Sequence, residues 1–205
     1  MDVLQIPASQ PAGLAAAGRA ASSRLRTLLV LAVAAVLVGA VAWVVDRPTD
    51  DGVTLVPGGA AAGSAPRAGD VPPDFQATAV DGSAVSIAAL KGQPTWLTFG
   101  ASWCPDCRAE APDLQAAYAK YKPQGLAVLG IFIQEDTAAV QDYAKRVGFT
   151  FPMVADPSSR IADLYRTYGI PLHFFIGRDG VIREVRIGRL SPGDMEQLVQ
   201  QILKG

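Results

Sequence analysis

Two cysteines and a single histidine are all that the 205 residues offer to a zinc ion that prefers sulfur and imidazole. A structural zinc site takes four such ligands, so a metal centre of that kind is excluded and no metal site is expected. Charge of either sign is scarce as well: 18 Lys and Arg stand against 19 Asp and Glu, a net charge of −1. Nucleic-acid binding usually declares itself by a basic patch, and no such partner is expected here. No internal repeat is visible. One local absence matters most. From Thr27 to Val45 there is no charged residue at all, and Leu, Val and Ala dominate.

At helical rise those residues reach roughly 28 Å, close to the hydrocarbon core of a bilayer. The preceding stretch, 1–26, is rich in Ala and Gly and carries Arg19, Arg24 and Arg26 against one acid, Asp2. It reads as a flexible tail, kept in the cytoplasm by its arginines. Trp43 falls near the far end of the span, as an interfacial aromatic would. The segment 27–45 is therefore expected to be a signal-anchor, placing the chain in the cell membrane as a single-pass protein with its remainder outside the cytoplasm. A cleaved signal peptide is the rival, with Val38-Gly39-Ala40 as a cleavage site, but the apolar run continues beyond the usual length of such a region. Either reading exports the rest of the chain. Residues 46–70, rich in Gly, Ala and Pro, read as a flexible linker with nothing to bury, and 71–205 as the folded domain.

The cysteines lie in that domain, in Thr95-Trp96-Leu97-Thr98-Phe99-Gly100-Ala101-Ser102-Trp103-Cys104-Pro105-Asp106-Cys107-Arg108. This is an apolar strand, a turn and the start of a helix, with Pro105 near the first helical position where a missing N–H costs nothing. A helix start leaves N–H groups unpaired and carries partial positive charge, which favours a thiolate. In Cys-x-x-Cys pairs so placed the thiol titrates well below its free value of roughly 8.5. Cys104, on the outer edge, is expected to attack, and Cys107, one turn further in and shielded, to resolve the mixed disulfide. Asp106 opposes this by adding negative charge beside Cys104, so Pro105 and Asp106 are the expected tuners of the thiol. An inert structural disulfide is the plainer alternative, but so short a loop constrains the unfolded chain little.

Around this centre the pattern alternates. Phe75–Val80 and Ala84–Ile87 flank Asp81-Gly82-Ser83 as a hairpin, and Ile87–Leu90 forms a helical turn. Thr95–Phe99 is a strand and Pro105–Tyr121 a helix that Pro112 should bend. Leu126–Ile133 is apolar throughout, as in a strand buried on both faces. Thr137–Val147 is a helix with Thr137 as N-cap and Gly148 as its stop. Phe151–Val154 is a short strand, and Ser158–Tyr168 a helix begun by Ser158 or Asp156. Leu172–Ile176 and Val181–Ile187 form a second hairpin, and a last helix runs from the Ser191-Pro192-Gly193-Asp194 start to about Lys204. Such an order predicts an α/β domain, a mixed sheet with helices on both faces.

Trp103-Cys104-Pro105-Asp106-Cys107 after an apolar strand resembles the active site of thioredoxin-like proteins. The wider pattern is similar to the membrane-anchored TlpA/ResA-type thiol-disulfide oxidoreductases. It includes Val71-Pro72-Pro73-Asp74-Phe75, the stretch from Asp81-Gly82 to Leu90-Lys91-Gly92, Glu110-Ala111-Pro112 and Gly169-Ile170-Pro171. The resemblance covers Val71 to Gly205 and implies a thioredoxin-like fold. It implies a cis bond before Pro171, with Ile170 offering its backbone to a substrate chain; an ordinary trans-proline opening a strand is the alternative. Trp103 would shape the substrate groove. Glu110, three residues after Cys107, matches an acid that could take the proton Cys107 loses; a solvated helix surface is the other reading.

Thr98 departs from the Asp or Asn of relatives, leaving no base at that place. His173 stands where relatives carry a small hydroxyl residue, and is either a satisfied strand histidine or a tuner of the dithiol. The implied function is a membrane-tethered reductant of disulfides in exported proteins, apocytochrome c among them, re-reduced by a transmembrane thiol carrier. It needs no cofactor beyond the Cys104/Cys107 pair. Two alternatives stand beside it. A peroxiredoxin-like thiol peroxidase would carry Pro-x-x-x-Thr-x-x-Cys, but Leu97 and Ala101 occupy the Pro and Thr places. A tethered binding module without catalysis is the other.

Overall fold

The computed structural model describes residues 17–45, 52–56 and 64–205, in two units divided at Thr49 and Asp50. The first unit holds helix α1, Ala17–Val45. Within it the eighteen-residue stretch Arg26–Trp43 is long and apolar enough to cross a membrane, and none of it is buried. The helix begins ahead of the expected span, so residues 17–26, read from composition as tail, are helical. Their Ala content explains this, since Ala has the highest helix propensity of any residue.

In the second unit two antiparallel strands, β2 (Phe75–Thr78) and β3 (Ala84–Ser86), form the expected hairpin. A further short strand, β1 (Thr54–Leu55), pairs with β2, with Leu55 opposite Phe75. The linker expected over 46–70 is corrected here. Val53 and Pro66 are buried, and the Gly69 and Ile182 N–H groups donate to the Ile182 and Asp70 carbonyls at 2.8 and 2.9 Å. A two-residue strand is too short to show a period, and its partners are distant in sequence. The remaining linker residues, 46–51 and 57–63, lie outside the described residues.

The main sheet holds β4 (Thr95–Gly100), β5 (Ala127–Ile133), β6 (Met153–Asp156), β7 (Leu172–Ile176) and β8 (Ile182–Ile187) in the order β6-β5-β4-β7-β8. β4, β5 and β6 are parallel, while β7 and β8 run antiparallel to their neighbours. The helices are α2 (Pro105–Tyr121), α3 (Thr137–Val147), α4 (Arg160–Leu164) and α5 (Pro192–Lys204). Successive side chains of a strand point to opposite faces, and this splits the interior in two. Trp96, Val128, Phe132, Met153 and Phe175 pack with α2, α3 and α5. Leu97, Phe99, Leu129, Ile131 and Phe174 pack on the other face with Phe75, Ile161 and Tyr165.

Helix ends obey the expected chemistry with two changes. α5 starts on a capping box between Ser191 and Asp194, and α3 ends at Gly148 with φ of 79°. The cap of α3 is Asp136, not Thr137; its carboxylate accepts the Ala139 N–H at 2.8 Å. α4 is shorter than expected because the chain turns at Arg166, where φ is 52°. Its first N–H groups are held by Asp156 at the end of β6, from Ile161 at 3.3 Å and Ala162 at 2.9 Å.

Just before that turn Tyr165 is fully buried and donates its hydroxyl hydrogen to the Pro73 carbonyl at 2.6 Å. Burial pushes this phenol well above its usual range, with Asp74 adding to the effect. Tyr165→Phe leaves that carbonyl unpaired in the interior and is expected to cost about 1–3 kcal/mol. Urea unfolding should show a lower midpoint at unchanged slope.

Candidate functional site

β4, the central strand, is buried along its length and ends at Gly100. Ala101, Ser102 and Trp103 form the turn, and Cys104 is the N-cap of α2, in extended backbone with φ −76° and ψ 120°. An N-cap position normally belongs to a Ser, Thr, Asp or Asn oxygen. Here Cys104 Sγ takes that place and accepts the Cys107 N–H at 3.2 Å. Pro105 fills the first helical position. The unpaired N–H groups and the positive end of the helix are thereby directed at one sulfur.

Cys104 and Cys107 are joined as a disulfide, their Cα atoms 5.3 Å apart. Exposure does not separate them as the sequence suggests. Cys104 is 3% exposed and Cys107 8%, because Ala101, Ile133 and Ile170 pack around the pair. The two sulfurs differ instead by position, one capping the helix and the other one turn inside it. Asp106 is exposed in that first turn.

The peptide bond Ile170–Pro171 is cis, as the resemblance implies. The Ile170 carbonyl oxygen lies 3.9 Å from Cys104 Sγ. Trp103 is 52% exposed beside the dithiol, so it is a surface residue and not part of the core. Cys104, Ile170 and Trp103 thus lie together beyond the carboxyl end of β4.

Beneath them is a buried polar cluster. Glu110 is 3% exposed, which rules out the solvated helix surface. Its Oε2 accepts the Leu190 N–H at 3.1 Å, and its Oε1 lies 3.4 Å from Nε2 of fully buried His173. That second contact is within ion-pair distance but is not aligned as a hydrogen bond. The Trp96 indole N–H donates to His173 Nδ1 at 3.3 Å, and the Thr98 hydroxyl is 3.0 Å from the same nitrogen. A cavity of about 20 Å³ is bordered by Thr98, Cys107, Glu110 and Tyr143, room for about one water molecule. Burial raises the Tyr143 phenol above its usual range; Arg108 opposes the shift, and Glu135 and Glu110 reinforce it.

Sequence reasoning misses Glu135, Ser102 and Tyr143. Glu135, just beyond β5, is buried and accepts the Ser102 N–H at 2.7 Å and the Ser102 hydroxyl hydrogen. It ties the active-site turn to the neighbouring strand. One signal could have found it: an acid two residues past the carboxyl end of a parallel strand, where open α/β sheets build their sites.

A profile of the AhpC/TSA family matches residues 68–185. The thiol-disulfide oxidoreductase ResA of Oceanobacillus iheyensis is 33% identical over 140 residues, covering 66% of this chain and 73% of that protein. Among solved structures, a thiol:disulfide interchange protein of the thioredoxin family from Chlorobium tepidum has a TM-score of 0.60 at 30% identity, covering 69% of this chain and 99% of that one. StoA from Bacillus subtilis has a TM-score of 0.55 at 28% identity, covering 62% and 97%.

The Glu135 tie can be tested apart from the sulfur chemistry. Glu135→Ala leaves the Ser102 N–H without its charged acceptor and is expected to cost about 1–3 kcal/mol. Ser102→Ala keeps the backbone donor and should cost less. Denaturant unfolding of both variants makes the comparison.

Proposed function

The chain belongs to the AhpC/TSA family and is a thiol-disulfide oxidoreductase of the ResA and StoA kind; on that footing we propose that it is a membrane-tethered reductant of disulfides in exported proteins. The observation that carries the reading is the Cys104–Cys107 pair at the start of α2, its capping sulfur facing the Ile170 carbonyl.

In the reduced form the Cys104 thiolate attacks a substrate disulfide. A bond forms between Cys104 and one substrate sulfur, and the other sulfur leaves and takes up a proton from water. Cys107 then gives its proton to Glu110 and attacks Cys104 Sγ, and the second substrate sulfur leaves as a thiol by taking that proton back from Glu110. The enzyme ends as the Cys104–Cys107 disulfide, and the substrate has gained two electrons and two protons. A transmembrane dithiol carrier restores the pair by the reverse exchange. Glu110 suits its part because it is buried, lies one helical turn from Cys107 and shares the small cavity with it.

During attack the backbone of Ile170 and Pro171 pairs with the substrate chain as an extended strand, and Trp103 forms one wall of the groove. Asp106 holds back the acidity of Cys104, favouring a reducing pair. α1 anchors the protein, with the arginines before the span keeping the N-terminus in the cytoplasm and the catalytic domain outside. An oxidising compartment needs such a reductant for thiols that must stay free. Apocytochrome c, whose cysteines must be reduced for haem attachment, is the proposed substrate class.

Three outcomes test this. The reduced protein should cleave insulin disulfides, Cys104→Ser should abolish the reaction, and Cys107→Ser should trap substrates as mixed disulfides in native membranes; failure of the wild type to reduce insulin would refute the reading. Peroxide should not be consumed, since Ala101 stands in the peroxidatic Thr place. Glu110→Gln should slow the resolving step near neutral pH by about 100-fold, the lower range for general acid–base assistance. In the reduced Asp106→Asn variant, alkylation of Cys104 should begin at lower pH than in the wild type.

A further inference from the structure

His173 is the chain's single histidine, the second residue of β7, opposite Thr98 of β4. Its surroundings determine which ring nitrogen carries hydrogen. An indole N–H can only donate, and that of Trp96 points at Nδ1. Nδ1 is therefore the bare nitrogen, and the neutral ring carries its hydrogen on Nε2. Nε2 faces Glu110 Oε1, while Glu110 Oε2 takes the Leu190 N–H. Each carboxylate oxygen thus has a nitrogen beside it: the Leu190 N–H hydrogen-bonds Oε2, and His173 Nε2 lies 3.4 Å from Oε1 without being aligned to it. The His173 contact is long and poorly aligned in the disulfide form, as catalytic contacts often are before the reacting complex tightens them.

We propose that His173 is a positioning residue for the resolving step, its Nε2–H holding Glu110 Oε1 so that the carboxylate stays aimed at Cys107. The proposal rests on the reading of Glu110 as acceptor of the Cys107 proton. A buried carboxylate oxygen without a donor is costly, and a glutamate has enough rotatable bonds to swing toward another partner. His173 removes that freedom. The proton moves from Cys107 Sγ to Glu110, and the His173 hydrogen stays where it is, so no further reactant is needed. Thr98 acquires a role here as well: it offers no acid, but its hydroxyl joins Trp96 at Nδ1. Among the described residues Cys107 on α2 and Tyr143 on α3 share the cavity with Glu110, and Arg108, Glu135 and Arg146 act on Tyr143 from around it. Arg186, opposite His173 on β8, is exposed and paired with Glu184 at 2.5 Å.

The experiment uses the full chain in detergent and tracks substrate release from a preformed Cys104 mixed disulfide across pH. His173→Asn keeps an acceptor for Trp96 but does not reach Glu110, and His173→Gln reaches Glu110 with an N–H. The Asn variant is expected to slow release about tenfold near neutral pH and to displace the pH–rate profile, the Gln variant to recover most of the rate. In a Glu110→Gln background His173→Asn should change the rate by less than about twofold, as coupled residues do. A slow Glu110→Gln enzyme in which His173→Asn costs its full tenfold again would overturn this proposal alone. Wild-type release by Glu110→Gln would overturn the Glu110 reading beneath it. Nitrogen NMR of the one histidine, in the unmutated chain, gives an independent check. A hydrogen on Nε2 is expected, and a hydrogen on Nδ1 would refute the assignment whether or not the variants fold.

Discussion

The site depends on the unpaired N–H groups at the start of α2 and on what meets them. In most helices a hydroxyl or carboxylate oxygen fills that place; here it is Cys104 Sγ, receiving the Cys107 N–H. A sulfur so placed gains from the helix end mainly when it is negatively charged. The capping contact thus favours the state in which Cys104 is a nucleophile. The rest of the domain keeps that contact in position. Buried β4 sets where the helix begins, Glu135 holds the turn through Ser102, and the cis bond before Pro171 brings a backbone carbonyl to the sulfur.

The alternating faces of the sheet explain why a polar cluster can lie under the dithiol without disrupting the interior. Leu97, Phe99, Leu172 and Phe174 turn to one side and form an apolar core. Trp96, Thr98 and His173 turn to the other, where α2 places Glu110. Buried polar groups are tolerated when they partner one another. The Trp96 indole and the Thr98 hydroxyl meet the His173 ring, the Leu190 amide meets the Glu110 carboxylate, and Thr98 and Glu110 line a cavity with Cys107.

At the N-terminal side of the domain the division between linker and fold lies further upstream than composition implies. β1 extends the β2–β3 hairpin, and Asp70 joins the β8 end of the main sheet through Ile182. These are backbone interactions, and they place few demands on side-chain type. Thr54, Leu55, Gly69 and Asp70 make them from the two sides of the Gly-, Ala- and Pro-rich run.

Much was legible before the structure because it depends on neighbours in the chain. Pro105 after a cysteine, the apolar run of β5, Gly148 after α3 and the Ser191–Asp194 box each express a local preference of the backbone. They determined the helix starts, the stops and the alternation that makes the fold. The cysteine spacing likewise placed both sulfurs on one helical turn. The tertiary structure decided what depends on distant segments meeting: that Cys104 is as buried as Cys107, that Glu135 reaches Ser102, and that His173 lies beside Glu110 and beneath Trp96. The physical reason is that burial and hydrogen-bond pairing belong to the packed assembly. A residue's type states what it can donate or accept, and only the fold states which group is there to meet it.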